Sequence, residues 1–432
     1  MNTNKILLTK TQHKIIVAVC KKNNVLISGP GGTGKTEIIK YIKNLERELI
    51  TPGMVMGSTA LTGTAAVLIK DTFTLHSYLG IGLGKGSVND IKEKLSCEKI
   101  KLLQSLQILI IDEISMLSDE LFDKIEQLAR IVRNNKKPFG GIQIILSGDF
   151  LQLPCINGNF CFKAKSWQNC NFQIFCLKKI IRQNDVIFQQ ILNRARFGLI
   201  TDNDVKYLKE NSKNTDSDVP NELEIQPTRI LCKNVDVENI NLNSLDSLKA
   251  NQVYKYTQKL TLLDKHEKIS QYNNIYCSAP KELYLSEGAQ VMLCINLNLS
   301  QELVNGSRGI VVGFKKTLSN KNLPIVKFLN CTITIEYYEY EIFKKDQHNN
   351  EKKVASITQI PLKLAYAITV HKSMGMTIDC AHINLKGVFE YGQAYVALSR
   401  AKTLNCLVIE NLTKESFLPH PDAIEFYQKL EL

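Results

Sequence analysis

Short apolar runs punctuate the first part of the chain at Val25 to Ser28, Met54 to Ser58, Leu106 to Ile111 and Ile142 to Ser147, each followed by polar, helix-compatible or loop sequence. Runs this short, bounded by turn residues, read as buried strands, and their alternation with helical stretches predicts a parallel, doubly wound sheet. Polar segments at Asn211 to Glu222 and Lys344 to Lys353 read as solvated loops or a linker. Between and after them lie further strand-like runs at Arg229 to Cys232, Ala289 to Cys294, Gly309 to Phe314 and Ile325 to Phe328. Some of these alternate between turn residues, as the strands of small antiparallel barrels do. The C-terminal stretch returns to strand and helix alternation. The pattern therefore predicts two α/β units, the second interrupted by a β-rich insertion, with no internal sequence repeat.

Composition narrows the class without choosing a function. A chain of 432 residues exceeds one ordinary domain, and a hydrophobic share of 44% is globular. No apolar stretch approaches the roughly 20 residues of a spanning helix, and Met1 to Lys5 lacks an apolar secretory core, so a soluble, intracellular protein with no membrane partner is expected. The net charge of +12 favours polyanionic partners. Of the 12 cysteines none forms a Cys-x-x-Cys pair. Most, including Cys20, Cys294 and Cys406, sit in apolar runs and read as buried reduced thiols. The spacing of Cys155, Cys161, Cys170 and Cys176 fits no zinc motif.

The most informative chemistry follows the first apolar run. Gly29-Pro30-Gly31-Gly32-Thr33-Gly34-Lys35-Thr36 has the spacing of a phosphate-binding loop between a strand and a helix, here expected from about Lys35 to Leu49. Glycines let successive N–H groups turn toward a triphosphate, and the helix presents its positive end to the same anion. Lys35 would neutralise the β and γ phosphates of a nucleoside triphosphate, and Thr36 would ligate magnesium. The run Leu109 to Ile111 ends in Asp112 and Glu113, adjacent carboxylates that leave a strand end in different directions. Asp112 is expected to hold Mg2+ through water, and Glu113 to accept the proton of the attacking water. After the next strand, the neutral amide of Gln152 can bond both the terminal phosphate and that water without adding charge.

Taken together, the phosphate loop, Ile111 to Leu117, Ser147 to Pro154 and Tyr395 to Arg400 resemble the petite-integration-frequency (Pif-type) helicases, superfamily 1 DNA helicases of 5′-to-3′ polarity related to RecD. The resemblance runs from about Leu8 to Ile409. It implies that Gln12, in Leu8 to Gln12, reads the adenine edge. It implies two arginines at the γ phosphate: Arg182 from the second domain, and Arg400 at the end of the last motif. It also implies single-stranded DNA contacts from Thr59 and Thr64, from His76 and from His371 and Ser373. Hydroxyl and imidazole groups suit sequence-independent binding to a backbone. One departure is Met374, where the family usually carries glutamine; a thioether makes no strong hydrogen bond, so a polar contact that couples DNA to the nucleotide is missing or rerouted.

The implied architecture is α/β, with two RecA-like P-loop motor domains built on parallel sheets. Its expected parts are a first domain over 1–170 with a small wedge insertion near 75–95, a second over 171–245 and 359–432, and a β-rich, partly SH3-like insertion over 246–358. The implied activity is ATP- and magnesium-dependent unwinding by a monomer that loads on single-stranded DNA and acts on forked or tailed duplexes. The alternative is an ATP-switched nucleic-acid clamp that does not unwind.

Overall fold

In the computed structural model, residues 8–430 are described except 63–64, 67–68, 70–71, 83, 214–225, 249–251, 264–278, 296, 298–302, 304–306, 318–319, 329–330, 346–350, 377 and 379. The first lobe is built on strands β1 (Val25–Ser28), β2 (Val55–Ala60), β3 (Phe73–Thr74), β4 (Leu106–Asp112), β5 (Gln143–Gly148) and β6 (Gln173–Cys176). They form one parallel sheet in the order β3-β2-β4-β5-β1-β6. Strands β1 and β5 are buried along their whole length, as strands covered by helices on both faces must be. The carboxyl ends of β1, β4 and β5 carry the phosphate loop, the Asp112–Glu113 pair and the segment leading to Gln152. Ligands collect at this edge of such sheets.

The expected strands are all present, with ends shifted by up to three residues. Three expectations need correction. The helix after the phosphate loop covers Lys35–Asn44, and a separate short turn covers Glu46–Leu49. The Leu45 N–H is shared between the Tyr41 and Ile42 carbonyls, which tightens the last turn and ends the helix early. The described residues of the polar segment 344–353 are strand, with Lys344 paired with Lys352 and Lys345 with Glu351, and 346–350 lie outside the described residues. Polarity alone does not tell a solvated strand from a loop. Cys20 is exposed at the end of the helix Lys10–Cys20, while Cys294 is buried and Cys406 lies between.

Sheet membership also sets where the lobes divide. Strand β6 pairs with β1, so the first sheet extends beyond residue 170 to Cys176. Helices Leu75–Leu79 and Val88–Lys94, in the stretch expected as a wedge, bury Leu75, Leu79 and Ile91 in the first lobe's own core. The second lobe has a four-stranded parallel sheet in the order Ala367–Thr369, Thr228–Leu231, Ala381–Asn384, Leu407–Glu410. Among the described residues, three antiparallel sheets lie between its first two strands in sequence. The largest has five strands and includes Leu362–Leu364, so it continues past residue 358. Its core gathers Leu283, Leu285, Val291, Val311, Val326 and Ile360.

The last helix, Pro421–Lys429, follows the second lobe in sequence but packs on the first. Ala423 and Tyr427 are buried in the first lobe's core, and the Phe426 ring lies 4.6 Å from Phe162 and 5.0 Å from Phe150. The chain thus passes between the lobes twice, once after β6 and once before this helix. Among the described residues no helix is long and apolar enough to cross a membrane.

Candidate nucleotide site between the lobes

The phosphate loop owes its shape to glycine. A side chain at Gly29 (φ +150°) would come within 2.4 Å of the Leu177 carbonyl oxygen, and one at Gly32 (φ +81°) within 2.6 Å of the Arg182 Cβ. Gly29 and Pro30 form the floor, where their carbonyl oxygens accept from the Lys35 Nζ at 2.7 and 3.0 Å. Thr33 closes the turn by donating its hydroxyl to the Pro30 carbonyl at 2.9 Å. Burial lowers the Lys35 ammonium from its ordinary value, against the pull of Asp149, Glu113 and Asp112.

A cavity of about 480 Å³ opens above this loop and brings together Gly31 to Thr36 with Asp112, Glu113, Gln152, Arg182 and Arg400. The carboxylates at the end of β4 differ in their surroundings. Asp112 turns back to accept the Glu113 N–H at 3.0 Å. Glu113 sits at φ +56°, ψ +47°, a left-handed conformation costly for a side chain with a Cβ and characteristic of functional sites. Burial, then the charge of Asp112, pushes the Glu113 carboxyl up to about 7, and burial also raises Asp112. Glu113 Oε2 and Gln152 Oε1 are buried without a hydrogen-bond partner. Both therefore have lone pairs available within the cavity.

Positive charge meets them from the other side. Arg400 is 1% exposed, and it is held by its own lobe: Nε donates to the Val396 carbonyl at 3.0 Å, Nη1 to Met376 at 3.2 Å and Nη2 to the Ser399 hydroxyl at 2.8 Å. Arg182 donates Nη1 to the Ser399 carbonyl at 2.9 Å. Burial, followed by the nearby Arg400, pulls the Arg182 guanidinium down to about 9. Two arginines this desolvated and this close leave a strong demand for an anion. The expected origin of Arg182 is corrected: the backbone N–H groups of Ile181 and Arg182 both donate to the Gly32 carbonyl, so Arg182 rides on the connection between lobes, tied to the phosphate loop itself.

The remaining expected contacts are mixed. Gln12 accepts the Thr9 N–H at 2.8 Å and so caps the helix Lys10–Cys20, with its amide nitrogen near Gly34. Thr59 is buried and donates to the Ile110 carbonyl at 2.7 Å, and Ser373 is buried and donates to Val370 at 2.7 Å. Their hydroxyls are spent on the fold and are not presented to a polynucleotide. His76 lines a separate groove with Leu61, Lys85 and Lys124, and burial lowers its imidazole. His371 Nε2 lies 2.7 Å from the Glu390 carboxylate. Thr64 falls outside the described residues. Met374 is fully buried in the second lobe's core.

Sequence reasoning passed over an inter-lobe lock behind the phosphate loop. Arg196, from the helix Val186–Arg196, makes a bidentate pair with the fully buried Asp149 at 2.8 and 2.7 Å. Burial alone would push the Asp149 carboxyl up; the Arg196 charge and hydrogen bonds reverse this and hold it below the ordinary value. The Tyr427 hydroxyl lies 2.9 Å from the same carboxylate and 2.6 Å from the Ser28 hydroxyl, and it accepts the Phe150 N–H at 3.2 Å. Asp149 lies within the stretch Ser147 to Pro154 that carries the resemblance, and Arg196 lies outside the motifs named above. A buried partner for each was the missing signal, and only tertiary structure supplies it.

Two parallel-sheet lobes meeting around one phosphate loop, with a carboxylate pair on one face and arginines on the other, define a two-lobed P-loop motor protein. Residues 7–202 match the PIF1-like helicase family, and residues 273–314 match the 2B domain of the DNA helicase Pif1. The chain is 38% identical to the ATP-dependent DNA helicase PIF1 of Xenopus laevis over 99% of its own length and 65% of that protein's. It thus spans about two thirds of that relative. The crystal structure of Pif1 helicase from Candida albicans superposes with a TM-score of 0.87 at 32% identity, covering 98% of this chain and 100% of that one. The Bacteroides Pif1 structure in complex with ADP-AlF3 and single-stranded DNA gives 0.76 at 31% identity, covering 99% and 98%. The chain belongs to the PIF1-like helicase family, and its parallel sheets are those of two RecA-like domains.

Proposed function

We propose that this chain is an ATP-dependent DNA helicase that moves 5′ to 3′ on single-stranded DNA and separates the duplex ahead of it. The observation that carries the reading is the single cavity in which Lys35, Glu113 and Gln152 of the first lobe face Arg400 of the second, with Arg182 on the connection between them. The donor set fits a magnesium-bound nucleoside triphosphate. Small-residue backbone surrounds the phosphate position, the arginines lack a carboxylate partner among their hydrogen bonds, and the unpaired oxygens of Glu113 and Gln152 are free to order a water. Thr36 and Asp112 are the residues that would hold Mg2+, which would supply positive charge to neutralise the phosphates when bound.

In the hydrolysis step Glu113 takes a proton from water as its oxygen bonds the γ phosphorus; the bond to the β–γ bridging oxygen breaks and ADP leaves. A carboxyl held near 7 suits that base role. Gln152 orients the water, and Arg182 and Arg400 stabilise the charge spread over the transferring phosphoryl group. Because Arg400 belongs to the second lobe, the charge it stabilises is also what draws the lobes together. Loss of that charge on product release lets them part, and this cycle drives stepping along the strand. Stacking of a DNA base step is about 1.4 kcal/mol, so opening one pair per cycle is a modest demand. His76 and His371 are the proposed DNA contacts, and loading is by a monomer. Unwinding assays with ATP on duplexes bearing a 5′ or a 3′ tail test the reading. Strand separation only with the 5′ tail is expected, and DNA-stimulated ATP hydrolysis without separation of either substrate would establish the clamp instead.

A further inference from the structure

Resting on that ATPase reading, we infer that Tyr395 is a positioning residue for hydrolysis: its hydroxyl ties the second lobe to the backbone of the phosphate loop and so sets where Arg400 stands. Tyr395 is 2% exposed on the helix Gln393–Leu398, and its hydroxyl oxygen accepts the Gly31 N–H at 3.1 Å. The ring lies in the second lobe's core, so the contact reaches across the lobe boundary from a rigid base. The turn that follows is internally braced: Ser399 donates its N–H to the Tyr395 carbonyl at 2.9 Å and its hydroxyl to Val396 at 2.9 Å, and Val396 also accepts from Arg400 Nε.

Gly31 is the point on which this turn bears. A Cβ there would meet Arg400 Nη2 at 3.1 Å and the Ser399 hydroxyl at 3.4 Å. Arg400 makes three hydrogen bonds inside its own lobe, and Arg182 and Gln183 hold the Ser399 and Ala401 carbonyls from the connection; within this set the Tyr395 hydroxyl is the bond from the Arg400 helix directly to the phosphate-loop backbone. Tyr395 does not line the cavity and touches no reacting atom. Burial raises its phenol to about 12, so the hydroxyl stays neutral in any working buffer. An error in the placement of a charge-stabilising group slows the chemical step more than it weakens ground-state binding.

The test is Tyr395→Phe, which keeps the ring and removes the acceptor, assayed as ATP hydrolysis with saturating single-stranded DNA. The expected result is a kcat about five- to tenfold lower, the rate equivalent of one hydrogen bond, with KM for ATP within about twofold and a melting temperature lowered by only a few degrees. In that background Arg400→Ala should cost less than it does alone, because the two residues act in one step. An unchanged kcat, a loss carried by KM, or additive losses in the double variant would overturn the inference. Should Tyr395→Phe not fold, Gly31→Ala probes the same joint from the other side by pressing a methyl group on Arg400; undiminished kcat there overturns it equally. If the unsubstituted chain hydrolyses no ATP, it is the ATPase reading that falls, whereas normal hydrolysis with indifferent variants removes only the role of Tyr395.

Discussion

Replacing Arg196 by methionine isolates the inter-lobe lock. The wild-type carboxylate of Asp149 receives both Arg196 nitrogens, the Tyr427 hydroxyl and the Leu151 N–H, and it has no contact with solvent. Methionine fills much of the arginine stem's volume but leaves the buried charge with its two neutral donors. Breaking one side of a buried pair typically destabilises by about 3–5 kcal/mol. For a cooperative melt of a chain of 432 residues, that corresponds to a fall in melting temperature of about 3–6 °C. The pH dependence gives the sharper signature. In the wild type the Asp149 carboxyl is held below its ordinary value, so the pair's stabilisation is complete above the ordinary carboxylate range and fades only as pH falls through the lowered value. In Arg196→Met, burial is left to dominate and raises that carboxyl, so the penalty should be small where it is protonated and grow as pH rises. Differential scanning fluorimetry of both proteins at pH 5 and pH 8 should show a larger gap at pH 8, and Asp149→Asn added to Arg196→Met should close much of it. A gap that is the same at both values, or a methionine variant as stable as wild type at pH 8, would refute this account of the lock.

Lys35→Ala should abolish ATP hydrolysis while leaving the melting temperature within a few degrees, since the ammonium bonds only carbonyls of its own loop; wild-type turnover would end the phosphate-loop assignment. Gly29→Ala should lower the yield of folded protein, because its Cβ meets the backbone oxygen of Leu177 and no side-chain rotation relieves that contact; normal expression and melting would contradict the close packing. A grip on about six phosphates should give single-stranded DNA binding a log–log salt slope of roughly −4 in fluorescence anisotropy titrations, and salt-independent binding would exclude a backbone grip. Tyr427→Phe removes a hydroxyl shared by Ser28, Asp149 and Phe150 and should destabilise by about 1–3 kcal/mol in thermal melts; no change would show the hydroxyl to be incidental.

The lobes were legible in the chain because their strands are short, apolar and followed by chemistry-bearing turns, which leaves little room for misreading Val25–Ser28 or Leu106–Asp112. Groups at strand ends were equally readable: topology alone sends Lys35, Asp112, Glu113 and Gln152 to one edge of one sheet. What local sequence could not disclose is which polar groups are consumed by packing. Thr59 and Ser373 look like ready hydroxyls in one dimension and prove to be structural only when their carbonyl partners come into view. Tyr395 is the opposite case, since an apolar setting disguises a hydroxyl whose partner lies 364 positions earlier. The backbone bonds that tie Arg182 to Gly32 leave no trace in residue type, so its attachment to the phosphate loop is visible only in the structure.

The double passage of the chain between the two bodies limits the movements open to them. Joined at a single point, two masses can twist and slide with little hindrance; fastened at two points, they move most easily by swinging about the line through both, as a gate does on a pair of pins. One pin lies beside Gly32, and the other is the terminal helix seated through Tyr427 under the strand that leads into the same loop. The stroke of such a gate is greatest at the rim farthest from the pins, so small changes around a phosphate translate into the largest excursions on the outer face of the molecule.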